Sequence, residues 1–181
     1  NKVIGMYIIR TKKGILFLAD TTINMNPTAE EIAEISILIA KSVKQFRIKP
    51  RLALLSYSNF GSTRTDDSSK MAKAAEIIRR DHPELVVDGE IQADFALDTE
   101  KTERIFPFSP FAEESANTLI FPNLESGNIA YKLMQEVADV DSIGPVLVGM
   151  KKSVHILQLG CTVREIINMV TLSVVDAQIK K

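Results

Sequence analysis

The dipeptide Gly160–Cys161 stands directly before Thr162-Val163-Arg164-Glu165, a capping box that opens the last helical run of the chain. Unpaired backbone N–H groups point outward from such a helix start and suit an anion. The two side chains just ahead of it, Gln158 and Leu159, carry no charge. The stretch therefore has the backbone of an anion corner without the cation. Cys161 reads either as a small packing residue or as a thiol made more acidic by the helix terminus.

Other candidates sit where an apolar run gives way to small polar residues, the end at which open α/β sheets bind ligands. In "SYSNFGSTRT", Ser58, Gly61 and Ser62 form either a backbone nest for phosphate or an ordinary turn; there is no Walker pattern. "VVDGE" places Asp88 and Glu90 on one side of an extended segment, as an acid–base pair or as a structural Asp-Gly turn. "FPNLESGN" brings Asn123, Gly127 and Asn128 to a strand-to-helix junction, where Asn128 serves a ligand or a cap. His82 and His155 each stand without a second ligand at zinc spacing, so no metal site is expected.

The elements that must position these residues follow from periodicity. "VIGMYIIRTKKGILFLAD" predicts two strands joined by a turn at residues 11–14. "NPTAEEIAEISILIAKSVKQF" predicts a helix with a Thr28/Glu31 capping box and an apolar face of Ile32, Ile35, Ile39, Val43 and Phe46. "RLALLSYS", "ELVVDGE", "NTLIFPN" and "GPVLVGM" read as strands. "SSKMAKAAEIIRRDHP" and "SGNIAYKLMQEVA" read as helices, the first stopped by Pro83. Residues 92–97 are ambiguous, and "FPFSPFAEES" reads as a surface crossover packing its phenylalanines. The closing helix takes Ile166, Ile167, Val170, Val174 and Ala177 as its apolar face. Strands alternating with amphipathic helices imply an α/β fold of three layers. Its sheet is mostly parallel, opens with an antiparallel hairpin and carries helices on both faces.

The totals narrow the function. A chain of 181 residues makes one large domain, or one and a half small ones, and buries a core without staples. The net charge of −1, with both signs interspersed, leaves no electrostatic footprint for nucleic acid or a membrane surface. One cysteine excludes an intrachain disulfide and suits a reducing cytoplasm, the expected location. No apolar run reaches the length of a membrane span. The start at Asn1 fits a piece of something longer.

Taken in order, "ADTTINMNPTAEEIAEI", "LLSYSNFGS", "VDGEIQADFAL", "IFPNLESGNIAYKLMQ", "IGPVLVGMKKSVH" and "GCTVREIINM" resemble the phosphate acetyltransferases (phosphotransacetylases) across essentially the whole chain. The chain covers only the C-terminal half of that family's fold. The resemblance implies a two-domain architecture like that of isocitrate and isopropylmalate dehydrogenases, with a cleft for coenzyme A and acetyl phosphate. Residues 1–160 would be the α/β core of the second domain. Residues 161–181 would be the last helix, packing on a first domain that this chain lacks. A homo-oligomer, at least a dimer, would form through this region.

In active members the corresponding stretch reads Ser-Arg-Gly-Cys, followed by an aspartate. The serine and aspartate position and deprotonate the CoA thiol, and the arginine holds the phosphoryl group. The serine falls on Gln158, the arginine on Leu159 and the aspartate on Glu165, while Gly160 and Cys161 match. No catalytic residue is expected to function. Ser58, Gly61, Ser62, Asn128, Gly160 and Cys161 are the candidates for an acetyl-CoA or phosphate cleft. A retained fold with altered catalytic positions resembles the phosphotransacetylase-like C-terminal domain of bacterial NADP-dependent malic enzymes. That implies an oligomerising domain which binds acetyl-CoA or CoA as an effector, holds no cofactor itself, and leaves NADP and the divalent metal to a separate N-terminal domain. An active phosphate acetyltransferase and a purely structural assembly module stand beside it as alternatives.

Overall fold

The computed structural model describes residues 2–138 and 140–179. Six strands make one mixed sheet: β1 (Ile4–Thr11), β2 (Gly14–Ala19), β3 (Arg51–Leu55), β4 (Val86–Ile91), β5 (Thr118–Ile120) and β6 (Asp141–Val148), in the spatial order β4-β3-β5-β2-β1-β6. β4, β3, β5 and β2 run parallel, and β1 alone is antiparallel to both of its neighbours, β2 and β6. The opening hairpin is therefore present, turned at Gly14, whose φ of +129° favours glycine.

The period-2 alternation of the strands sorts their side chains onto two cores. Ile4, Met6, Phe17, Leu52, Leu54, Val87 and Ile120 face one side. There they meet α1 (Ala29–Gln45) and α2 (Asp66–Asp81) through Ile32, Ile35, Ile39, Met71, Ala74 and Ile78. Tyr7, Ile9, Leu18, Ala53, Leu55 and Leu119 face the other. Their partners come from α3 (Ala93–Ala96), the 3-10 turn Pro110–Ala112 and α5 (Leu124–Ala138), namely Ala96, Phe111 and Tyr131. Helices thus cover both faces, giving the expected three layers.

The Thr28/Glu31 box read in the sequence forms at the start of α1. α2 opens on a box that was not read there, Thr65 with Ser68. A short helix, α4 (Thr99–Ile105), capped by Asp98, follows α3. The sequence pattern did not announce it, because seven residues are too few for a periodic stripe to show. The Pro-rich crossover buries Phe111 but leaves Phe108 largely in solvent.

The closing helix, α6 (Val163–Ile179), departs from its pattern. Only Met169 on it is buried, and Leu172 packs against the α1 side of the core. The apolar face read for it is exposed at Ile167, Val170 and Val174. α5 likewise exposes Ile129, Leu133 and Val137, four residues apart along one face. Among the described residues, no helix is long and apolar enough to cross a membrane.

Candidate functional site

The loop between β6 and α6 carries the Gln158–Cys161 corner to the sheet face on which Tyr7 and Tyr131 meet. The two rings stack with centroids 4.0 Å apart and planes 14° from parallel. Each is almost wholly buried, at 2% and 1% exposure. A buried phenol needs a partner for its hydroxyl, and Gln158 provides one for both. Its Nε2 donates to Tyr7 Oη at 2.6 Å and to Tyr131 Oη at 2.9 Å. Burial pushes the Tyr7 phenol above the ordinary tyrosine range, and its hydrogen bond to Tyr131 and the negative charge of Glu165 act in the same direction. Tyr7 is therefore a neutral hydroxyl at any physiological pH.

Beyond Gln158 the corner turns outward. Leu159 projects fully into solvent, Gly160 takes a φ of +84°, and the Cys161 N–H closes the turn on the Gln158 carbonyl at 3.3 Å. Glu165 bonds the Thr162 N–H at 2.7 Å and the Thr162 hydroxyl at 2.9 Å, so its carboxylate is held by the capping box. Arg164, the nearest guanidinium in sequence, pairs with Asp141 at 3.0 Å. Tyr7, Ser142, Gly144, Gln158, Cys161 and Glu165 line a crevice of about 90 Å³, well below the roughly 300–1,000 Å³ of a small-molecule pocket.

The Ser58–Gly61–Ser62 turn lies past the carboxyl end of β3, where strand polarity placed it. Its donors are already taken. The Gly61 N–H and the Ser58 hydroxyl both point at Glu90 Oε1, at 2.6 and 3.0 Å, and Ser58 and Ser62 bond each other at 3.1 Å. The carboxylate of Glu90 sits where a bound anion would, and it is buried. Beside it opens a groove of about 530 Å³ lined by Phe60, Gly61, Arg64, Lys73, Glu76 and Arg79.

Asp88 and Glu90 do not act as a pair. Asp88 bonds Arg79 of α2, and Glu90 serves the Gly61 turn. Asn123 caps α5 by accepting the Ser126 N–H at 2.9 Å, and Asn128 braces the same helix against the Thr21 carbonyl at 3.3 Å. Gly127 lets that helix approach, since a Cβ there would lie 2.5 Å from the Asp20 carbonyl oxygen. Of the sequence candidates, then, Ser58, Gly61 and Ser62 gather at one place, Gly160 and Cys161 at another, and Asn128 at a third. Tyr7, Tyr131 and Asp20 were not read from the sequence. Asp20 accepts from Gly5, Thr22 and Ile23 through Oδ1 and from Asn24 through Oδ2, fixing the turn after β2. A polar-tipped ring inside the aliphatic run "VIGMYII" is the signal that could have marked Tyr7. Among the described residues, no group of three or more His, Cys, Asp or Glu is placed to hold a metal ion.

The family model for phosphate acetyl/butaryl transferase matches residues 1–174. The chain belongs to this family. Within it, the chain is 46% identical over 175 residues to the NADP-dependent malic enzyme of Escherichia coli, covering 96% of this chain and 23% of that protein. It is 43% identical over 165 residues to the NADP-dependent malic enzyme of Haemophilus influenzae, covering 91% and 22%. The phosphate acetyltransferase of Clostridium acetobutylicum is 39% identical over 168 residues, covering 92% and 50%. Among solved structures, the EutD phosphotransacetylase from Staphylococcus aureus superposes with a TM-score of 0.89 at 30% identity, covering all of this chain and 55% of that one. A phosphotransacetylase from Streptococcus pyogenes gives 0.85 at 34%, covering 99% and 54%. The chain thus spans a quarter or less of these malic enzymes and about half of these phosphotransacetylases.

Proposed function

We propose that this chain is the phosphotransacetylase-like C-terminal part of a bacterial NADP-dependent malic enzyme, and that it assembles the oligomer and senses acetyl-CoA without transferring acetyl groups. One observation carries the loss of transfer. The position of the family's serine holds Gln158, whose amide is spent on two buried phenols, and the position of its arginine holds Leu159, an aliphatic side chain in open solvent. A fixed guanidinium gives an acyl phosphate charge-assisted hydrogen bonds that leucine lacks. Removing one such donor costs on the order of 10²–10³ in rate. Arg164 pairs with Asp141 on the surface rather than with the corner. Glu165 is committed to its cap.

The bare apolar stripe on α5 supports assembly, and the one on α6 supports cover by a first domain of the isocitrate/isopropylmalate dehydrogenase type. Contiguous exposed apolar surface of this kind marks protein contact. The NADP and divalent metal of the parent enzyme lie outside this chain in this reading, and the protein acts in the cytoplasm.

The test uses the full-length parent. Acetyl-CoA is expected to bind in a calorimetric titration and to slow malate decarboxylation, while a coupled assay with acetyl phosphate and CoA shows no acetyl-CoA formation. Turnover in that assay, or decarboxylation indifferent to acetyl-CoA, overturns the reading.

A further inference from the structure

His155 had no companion in the sequence, and the fold gives it several. Its imidazole is 2% exposed. Nδ1 accepts the N–H of Leu147 at 3.1 Å, on β6 at the margin of the sheet. Nε2 lies 3.2 Å from Ser153 Oγ and 3.7 Å from Asp176 Oδ2. Ser153 Oγ in turn donates to the Ser173 carbonyl on α6 at 3.0 Å. A backbone N–H only donates and a carbonyl only accepts, so the Leu147 and Ser173 contacts fix the direction of the bonds between them. Nδ1 is bare, Nε2 carries the hydrogen and gives it to Ser153, and Ser153 passes its own to Ser173. One directed chain of hydrogen bonds runs from the sheet margin, through the loop, to the final helix. It needs a neutral imidazole.

We infer that His155 is the positioning residue of the Gln158–Cys161 corner and that its protonation unlocks that corner. The loop at residues 149–162 contains no helix or strand, so its course depends on side-chain anchors. His155 holds it to β6, and three residues later Gln158 holds it to the two tyrosines. Charging Nδ1 sets one N–H against another at the Leu147 contact, where almost no water reaches to accept either. The ring then leaves its seat or strands a buried donor.

The surrounding charges define the balance. Asp176 on α6 favours the imidazolium. Lys41 on α1 lines the same crevice as Asp176 and offsets that pull, and the exposed Lys151 and Lys152 on the loop add positive charge. The anchored form is the uncharged one, so anchoring is present at neutral pH and is lost as the pH falls. The clasp is independent of whether the corner binds acetyl-CoA.

Hydrogen–deuterium exchange of the whole chain at about pH 7.5 and about pH 5, corrected for intrinsic rates, reads the clasp directly. In the wild type, peptides carrying Leu147 and residues 153–162 are expected to lose protection at the lower pH by about tenfold. In His155→Asn, Oδ1 takes the Leu147 N–H and does not ionise, so protection is retained at both values. His155→Phe is expected to be unprotected at both. Wild-type protection that is the same at both pH values overturns the inference. So does a His155→Asn protein that opens with acid as the wild type does. Should His155→Phe not fold, the wild type and the asparagine variant decide the question between them.

Discussion

The side-chain amide of Gln158 lies 2.6 Å from the phenol of Tyr7, a residue 151 positions earlier, and the same nitrogen reaches Tyr131 at 2.9 Å. Gln158 is a structural tie that joins the loop to the hairpin strand β1 and to α5.

Gln158→Ala removes one hydrogen-bond donor from each of two buried hydroxyls. Net loss from such a change is about 1–2 kcal/mol. Urea denaturation followed by circular dichroism is expected to show it as a lower midpoint with an unchanged slope.

Tyr7 makes stability depend on alkaline pH. Its folded-state ionisation is raised by burial, whereas in the unfolded chain a tyrosine releases its proton near about pH 10. Below that pH both states hold the proton, and the full contribution is present. Above it the unfolded state binds fewer protons, so stability declines as the pH rises. Tyr7→Phe is expected to flatten this alkaline limb in thermal melts taken across the range.

Gly127→Ala forces a methyl group to within 2.5 Å of the Asp20 carbonyl oxygen and 3.3 Å of the Phe121 ring. The Asp20 turn is fixed by its own carboxylate contacts and has no room to yield. A loss of about 2–3 kcal/mol is expected on chemical denaturation.

Gln158→Ser combined with Leu159→Arg tests the proposed loss of transfer by installing the serine and arginine that the reading assigns to active relatives. Leu159 is fully exposed, so the arginine meets no steric obstacle. In the full-length parent, acetyl-CoA formation from acetyl phosphate and CoA is expected to rise at least about tenfold over the unmodified protein. No rise would place the loss of transfer elsewhere than in this pair.

Much of the fold was legible because its signals are local. Ile32, Ile35, Ile39 and Val43 repeat along one stripe, and all four are buried on α1 as that spacing requires. The Thr28/Glu31 and Thr162/Glu165 boxes needed four residues each to be recognised, and both form. On α6 the same rule gave the apolar face but not what covers it. Periodicity reports which face is apolar, and Ile167 and Val174 are exposed among the described residues while Met169 and Leu172 turn inward.

The site was less legible, since its bonds join distant residues. Nothing near Gly61 in sequence says that Glu90 fills its turn, or near Tyr7 that Gln158 will find it. The donor-rich "SNFGS" string has a nest's composition, but the occupant arrives from β4. His155 looked solitary for the same reason, because Leu147 becomes its neighbour only when the chain doubles back past Gly149, whose φ is +91°.

α6 is apolar on two sides and meets this body through Met169, Leu172, the Ser173 carbonyl, Asp176 and the Arg164–Asp141 pair. Any neighbour that grips its bare stripe has leverage on those contacts. A roll of the helix about its axis would draw the Ser173 carbonyl from the Ser153 hydroxyl, the outermost link of the bonds that end at the sheet margin.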